Sequence, residues 1–186
     1  MIDPVILMVC IASATIIALA SALPKWREPV RFRASLEAFA LLPSFAVKPL
    51  SFVFPALETA GAIGLLFAET RMPAAILLIA LFTLFGAALA FNVLRGHTDI
   101  DCGCSGFIAA ARTSDRTPKS IGWWHVARAA MLAALAAAAL VPATGRALMG
   151  FDYLSAGACT LFAVAAWFTL DVLLVNLPKL DSLRNS

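Results

Sequence analysis

The residues with the greatest capacity for chemistry are Cys102 and Cys104, separated by one glycine in the run Arg95–Gly106, RGHTDIDCGCSG. The thiolate is the nucleophile of disulfide exchange. A disulfide across a single intervening residue closes a very small ring, and the departure from relaxed geometry makes such a bond easier to reduce. Gly103 tolerates the unusual backbone angles that this ring needs. The spacing therefore suits a labile, exchanging disulfide better than a structural one. Arg95 and His97 would favour the thiolate and Asp99 and Asp101 would oppose it, so the neighbours leave the direction open. Two plainer readings stand beside this one: inert thiols in a loop, or part of a metal site. Zinc takes four ligands, and Cys102, Cys104 and His97 supply three with Asp101 a poor fourth, so no metal is assigned.

Two further cysteines, Cys10 and Cys159, lie near the starts of two apolar segments that begin on the same side. They form a candidate second thiol pair at the level opposite the CGC loop. The plainer reading is that each is a small apolar residue. Three charged residues, Glu58, Arg128 and Asp171, interrupt apolar segments. Charges in lipid are costly, face the bundle interior and take partners. Pairing of Arg128 with Glu58 or Asp171 is the simplest arrangement that satisfies them. Counted from segment ends, Glu58 is eight residues in, Arg128 seven, and Asp171 six from its end, which places all three in the membrane half nearest the CGC loop. A proton or quinone site beneath the cysteines and a purely structural ion pair are both compatible with this. His125, one turn from Arg128, reads as an interfacial histidine.

The elements that must position these residues are membrane helices. Of 186 residues, 62% are apolar and 13% charged, against about half and a quarter in soluble domains. The net charge of +3 is small and the basic residues are scattered, which excludes a nucleic-acid surface. Crossings of ~20 apolar residues are expected near residues 4–23, 50–68, 73–94, 121–141 and 154–177, with the polar CGC loop at 95–120. The fold class is all-α, a polytopic transmembrane bundle of about five helices in a single domain spanning 1–186. The Ala20-Ser21-Ala22 run resembles a signal-peptidase site. The leading region carries only Asp3 and no basic residue, so the first segment reads as a retained helix. Residues 34–47 form a short amphipathic stretch suited to the interface, and the last crossing is expected to end at Pro178. Trp123 and Trp124 open the fourth crossing as an aromatic belt, and its alanine-rich interior allows close packing. Lys and Arg are concentrated in residues 24–48, the CGC loop and the tail, which predicts that these are cytoplasmic. No P-loop, GxSxG or HExxH motif is present.

At FNVLRGHTDIDCGCSG, followed by SIGWWHVARAAMLAALA, the sequence resembles the methylamine-utilisation protein MauE family, a DoxX-like group of small redox-associated membrane proteins with a four-helix core. The features that carry the resemblance are Asn92, Leu94, Arg95 and Gly96 at a helix end, then Cys102, Gly103, Cys104 and Gly106, then Trp123 or Trp124 and Arg128. Pro55–Leu66, PALETAGAIGLL, resembles the family's second helix, with Glu58 as its acid. Ala129 departs from the asparagine expected after the arginine. The resemblance implies a bacterial inner-membrane accessory protein of methylamine metabolism. It would act in processing or maturation of the disulfide-rich, periplasmic β subunit of methylamine dehydrogenase, with a thioredoxin-like exchange partner; quinone is the cofactor that the intramembrane charges, not the resemblance, would admit. A thiol-disulfide redox factor is the first expectation. A non-catalytic assembly or export chaperone is the alternative, and a small-molecule transporter is disfavoured by the absence of repeated halves. The charge bias puts the CGC loop in the cytoplasm, whereas a periplasmic substrate would want it outside.

Overall fold

The computed structural model describes residues 1–98 and 121–184, with side chains described as far as 173. Among these residues the chain forms six helices: α1 (Pro4–Arg27), α2 (Pro29–Ala38), α3 (Ser44–Gly64), α4 (Arg71–Leu94), α5 (Trp123–Ala138) and α6 (Gly150–Arg184). The only β pairing among them is a single parallel bridge, Ile2 with Ala143. The all-α membrane bundle expected from hydropathy is thus observed. Three helices are long and apolar enough to cross a membrane: α1, α4 and residues 150–173 of α6. The expected crossings near 50–68 and 121–141 correspond to α3 and α5, which flank α4 and complete the bundle.

Helix α1 starts with Asp3, whose carboxylate accepts the Val5 N–H at 2.8 Å, and with proline in its first turn. It continues through Ala20-Ser21-Ala22 to Arg27, four residues beyond the expected end at Leu23. Its inward stripe is Leu7, Ile11, Ala14, Ala18, Ala22 and Lys25, at the i, i+3, i+4 spacing that aligns one helical face. Ser21 and Ala22 of the run that resembles a cleavage site are therefore buried in the bundle.

The amphipathic stretch falls earlier than expected, at Pro29–Ala38. Phe32 and Leu36 of α2 are buried against Val47 of α3, while Arg31, Arg33 and Glu37 face outward. Helix α3 begins at Ser44, six residues ahead of the expected start, and contains Pro49 and Pro55.

Helices α3 and α4 run antiparallel at close range. A Cβ on Gly61 would meet the Leu78 side chain at 2.8 Å, and one on Gly64 would meet the Ala74 Cβ at 2.8 Å. Small residues allow such approach where lipid provides no hydrophobic drive. Gly86 faces Ala129 in the same way between α4 and α5. The main core gathers α1, α3, α4, α5 and α6 around Ala18, Ala62, Leu65, Ala75, Leu78, Ala136 and Trp167. Helix α1 packs on α3, α5 and α6 and meets α4 through side chains, Lys25 against the Phe85 ring among them.

At the far end from the CGC loop, residue 2 is stapled to residues 142–144 by the Ile2 N–H to Pro142 carbonyl bond (3.1 Å) and the Thr144 N–H to Ile2 carbonyl bond (2.9 Å). Arg146 grips both Asp3 and Asp152 there. Helix α6 does not stop at Pro178; its backbone stays helical to Arg184. A proline inside a helix removes one hydrogen bond without obliging the chain to leave it.

Candidate functional site

The CGC loop leaves the bundle at the end of α4 and returns at the start of α5. Its cysteines, Cys102 and Cys104, lie outside the described residues, as do Asp99 and Asp101. Its two ends are well defined. Gly96 adopts a positive φ of 74°, its N–H donates to the Val93 carbonyl (3.1 Å), and the His97 N–H donates to the Asn92 carbonyl (3.1 Å). This left-handed stop is a Schellman-type cap. It gives the Arg95-Gly96-His97 run a structural meaning: it ends α4 at a fixed residue. Arg95 stacks on Phe91 at 4.7 Å, and both Arg95 and His97 are exposed. Across the gap, the Ile121 N–H donates to the Thr98 carbonyl at 2.8 Å, so the loop departs and returns at one point. Ile121 is buried with Phe39 and Leu89 beneath that clasp.

Below the clasp are the buried charges. They form two separate pairs, which the sequence did not anticipate. Arg128 of α5 donates to Asp171 of α6 at 2.7 Å, one of the two partnerships expected for it. Glu58 of α3 pairs instead with Lys25 of α1, and both side chains are almost wholly buried. Sequence reading placed Lys25 among the cytoplasmic loop cations because the apolar run ends at Leu23. The signal that would have found it is the inward stripe of α1, which reaches Lys25 when continued at helical spacing. The ammonium also donates to Ser21 Oγ (3.4 Å) and lies 5.0 Å from the Phe85 ring centroid and 5.6 Å from that of Phe32. Glu58 lies 14 residues from the start of α3 and six from its end, deeper in the bundle than the eight residues expected. The difference arises because α3 begins earlier.

Two hydrogen bonds support the α1–α3 contact on either side of this pair: Trp26 Nε1 to Thr59 Oγ1 (3.1 Å) and Thr15 Oγ1 to the Ala62 carbonyl (3.2 Å). The Arg128 guanidinium lies 5.4 Å from the Trp167 ring, a second contact between α5 and α6. His125 is not merely interfacial. Its Nδ1 accepts the Gly122 N–H at 3.2 Å, which caps α5. Ser21, Lys25, His125 and Arg128 line one small cavity with Phe82, Phe85, Leu89, Ala129 and Leu132. Ala129, the departure noted in the sequence, is thus both a cavity wall and the close contact with Gly86.

Cys10 and Cys159 are free thiols, Cys10 half-buried on α1 and Cys159 exposed on α6. Among the described residues no group of three or more His, Cys, Asp or Glu is placed to hold a metal ion.

The family model for methylamine utilisation protein MauE matches residues 3–142, from the α1 cap through α5. The chain belongs to the MauE family. The MauE of Paracoccus denitrificans is 36% identical over 165 residues, which covers 89% of this chain and 83% of that protein. The MauE of Methylophilus methylotrophus is 39% identical over 136 residues, 72% of this chain and 66% of its own length. The MauE of Methylorubrum extorquens is 35% identical over 102 residues, 55% of each. No solved structure matches the chain significantly. The stretch matched by the MauE model includes Lys25, Glu58, His125 and Arg128, the CGC pair and both ends of its loop; Asp171 lies beyond it.

Proposed function

We propose that this protein is a bacterial inner-membrane accessory factor of methylamine utilisation that carries out thiol–disulfide exchange during maturation of the methylamine dehydrogenase β subunit. The observation that carries the proposal is the Cys102-Gly103-Cys104 sequence in a chain of the MauE family, in a loop whose ends are joined at Thr98 and Ile121. In this reading the oxidised Cys102–Cys104 pair accepts two electrons from a dithiol of the substrate protein. The substrate disulfide forms, and the CGC pair becomes a dithiol with two protons taken up. A thioredoxin-like partner or a membrane quinone restores the disulfide. The Schellman cap at Gly96 and the clasp at Ile121 support this role by fixing where the loop leaves the helix bundle. The two buried ion pairs support it by tying α1 to α3 and α5 to α6.

The test is the redox state of the β subunit in cells carrying Cys102→Ser or Cys104→Ser, measured by thiol alkylation and mass shift. Loss of its disulfides is expected. If they form normally in both variants while deletion of residues 99–120 abolishes maturation, the protein is instead an assembly or export chaperone that docks its partner through the loop. Labelling of the cysteines from each side of intact cells, with and without reductant, reports which side the loop faces.

A further inference from the structure

The cavity between α1, α4 and α5 has a chemical character that the thiol reading does not use. Its volume is about 40 Å³, room for roughly two or three waters or one small ion. Four polar side chains line it, and Ser21, Lys25 and Arg128 among them are at least nine-tenths buried. Side-chain chemistry decides what they offer. Lys25 and Arg128 are donors only. Ser21 Oγ already accepts from Lys25, which leaves its O–H to donate. His125 Nδ1 accepts the Gly122 N–H, so the neutral ring carries its proton on Nε2 and has no second acceptor.

Among the described residues no carboxylate lines the cavity. Glu58 and Asp171 hold Lys25 and Arg128 without being part of its wall. Each ion pair therefore presents its positive end to the cavity and keeps its negative end outside it. Two such dipoles give a positive potential there even though each pair is neutral overall, and the low dielectric strengthens it. Phe82, Phe85, Leu89 and Leu132 complete the wall and offer no competing acceptor.

We infer that this cavity is a binding site for a small monovalent anion of carboxylate size, held by Lys25, Arg128 and Ser21. The anion comes either from solution or as the head of an amphiphile whose tail lies in the bilayer. The site stands independently of the cysteines, so Cys102→Ser/Cys104→Ser retains it.

The experiment uses the full-length protein in nanodiscs of zwitterionic lipid, with Trp fluorescence as readout, since the Trp167 ring contacts Arg128. Sodium formate replaces sodium gluconate at constant ionic strength, and sodium laurate is titrated in parallel. A saturable change with formate and laurate alike is expected. A change with laurate alone supports the site and assigns it to an amphiphile head. Ser21→Ala is expected to weaken binding about 3- to 10-fold, the loss of one hydrogen bond to a charged ligand. Arg128→Gln is expected to abolish it. Because that variant could unfold, Ser21→Ala, which removes a single hydroxyl, carries the decision. Absence of saturation with both probes, or equal affinity in wild type and Ser21→Ala, overturns the inference.

Discussion

Lys25, two residues from the end of α1, forms a buried ion pair with Glu58 of α3, 33 residues away in sequence. This contact ties the first helix to the second long one, with both side chains almost wholly buried. Removing one partner leaves the other as an uncompensated buried charge. Lys25→Met or Glu58→Leu alone should each cost about 3–5 kcal/mol of stability. The double variant should recover most of that loss, because an apolar pair of similar volume avoids the desolvation of both ions. Thermal unfolding in detergent would check this; a double variant as unstable as the sum of the singles would contradict the pairing.

The second pair behaves differently under conservative substitution. Arg128 holds Asp171 through Nη1 and lays its guanidinium plane near Trp167. Lysine keeps the charge but loses the flat face. Arg128→Lys should lose roughly 1–2 kcal/mol and shift the emission of Trp167. Unchanged stability and emission would mean that the ring contact contributes nothing.

The α3–α4 seam predicts a ranking. At Gly61 an added methyl meets Cγ and Cδ2 of Leu78, a side chain that can change rotamer, whereas at Gly64 it meets the Cβ of Ala74, which cannot rotate away. Both alanine variants should destabilise, by about 1–3 kcal/mol, with Gly64→Ala the worse. Equal or reversed effects, read as unfolding midpoints, would show that the helices shift to relieve the clash.

The N-terminal clasp should respond to acid. The Val5 N–H, and then Arg146, hold the Asp3 carboxyl below the usual carboxylate range, while Asp152 and then Asp3 push Arg146 upward so that it stays charged throughout. A lowered folded pKa means that Asp3's contribution is complete above the ordinary carboxylate value and fades as pH falls through the lowered one. Amide exchange of Val5 and Thr144 should therefore be slow near about pH 6 and gain an acid-dependent opening toward about pH 3, after correction for the intrinsic rate. Asp3→Asn, which can still cap α1, should remove that opening; an identical profile in the variant would assign it to another group.

The sequence by itself determined the solvent and the class of fold. Apolar runs of bilayer length leave no other way to satisfy the backbone than helices, so α1, α4 and α6 were legible within a few residues at most ends. It also determined the CGC pair, the family and the presence of buried charge at Glu58, Arg128 and Asp171, because a charge in an apolar run has to be paired wherever it lies. The turn at Gly96 was visible as a motif, though its function as the stop of α4 was not.

Which charge meets which was decided only in the tertiary structure. A lysine just past an apolar run can extend to the interface or turn inward, and local sequence does not distinguish the two. The outcome depends on the rotation of α1 against α3 and on a carboxylate waiting there. Once Lys25 occupies Glu58, Arg128 is left to Asp171, and the described wall of the cavity between α1, α4 and α5 holds two cations and no carboxylate. That distribution of charge is a property of helix packing, and no single segment contains it.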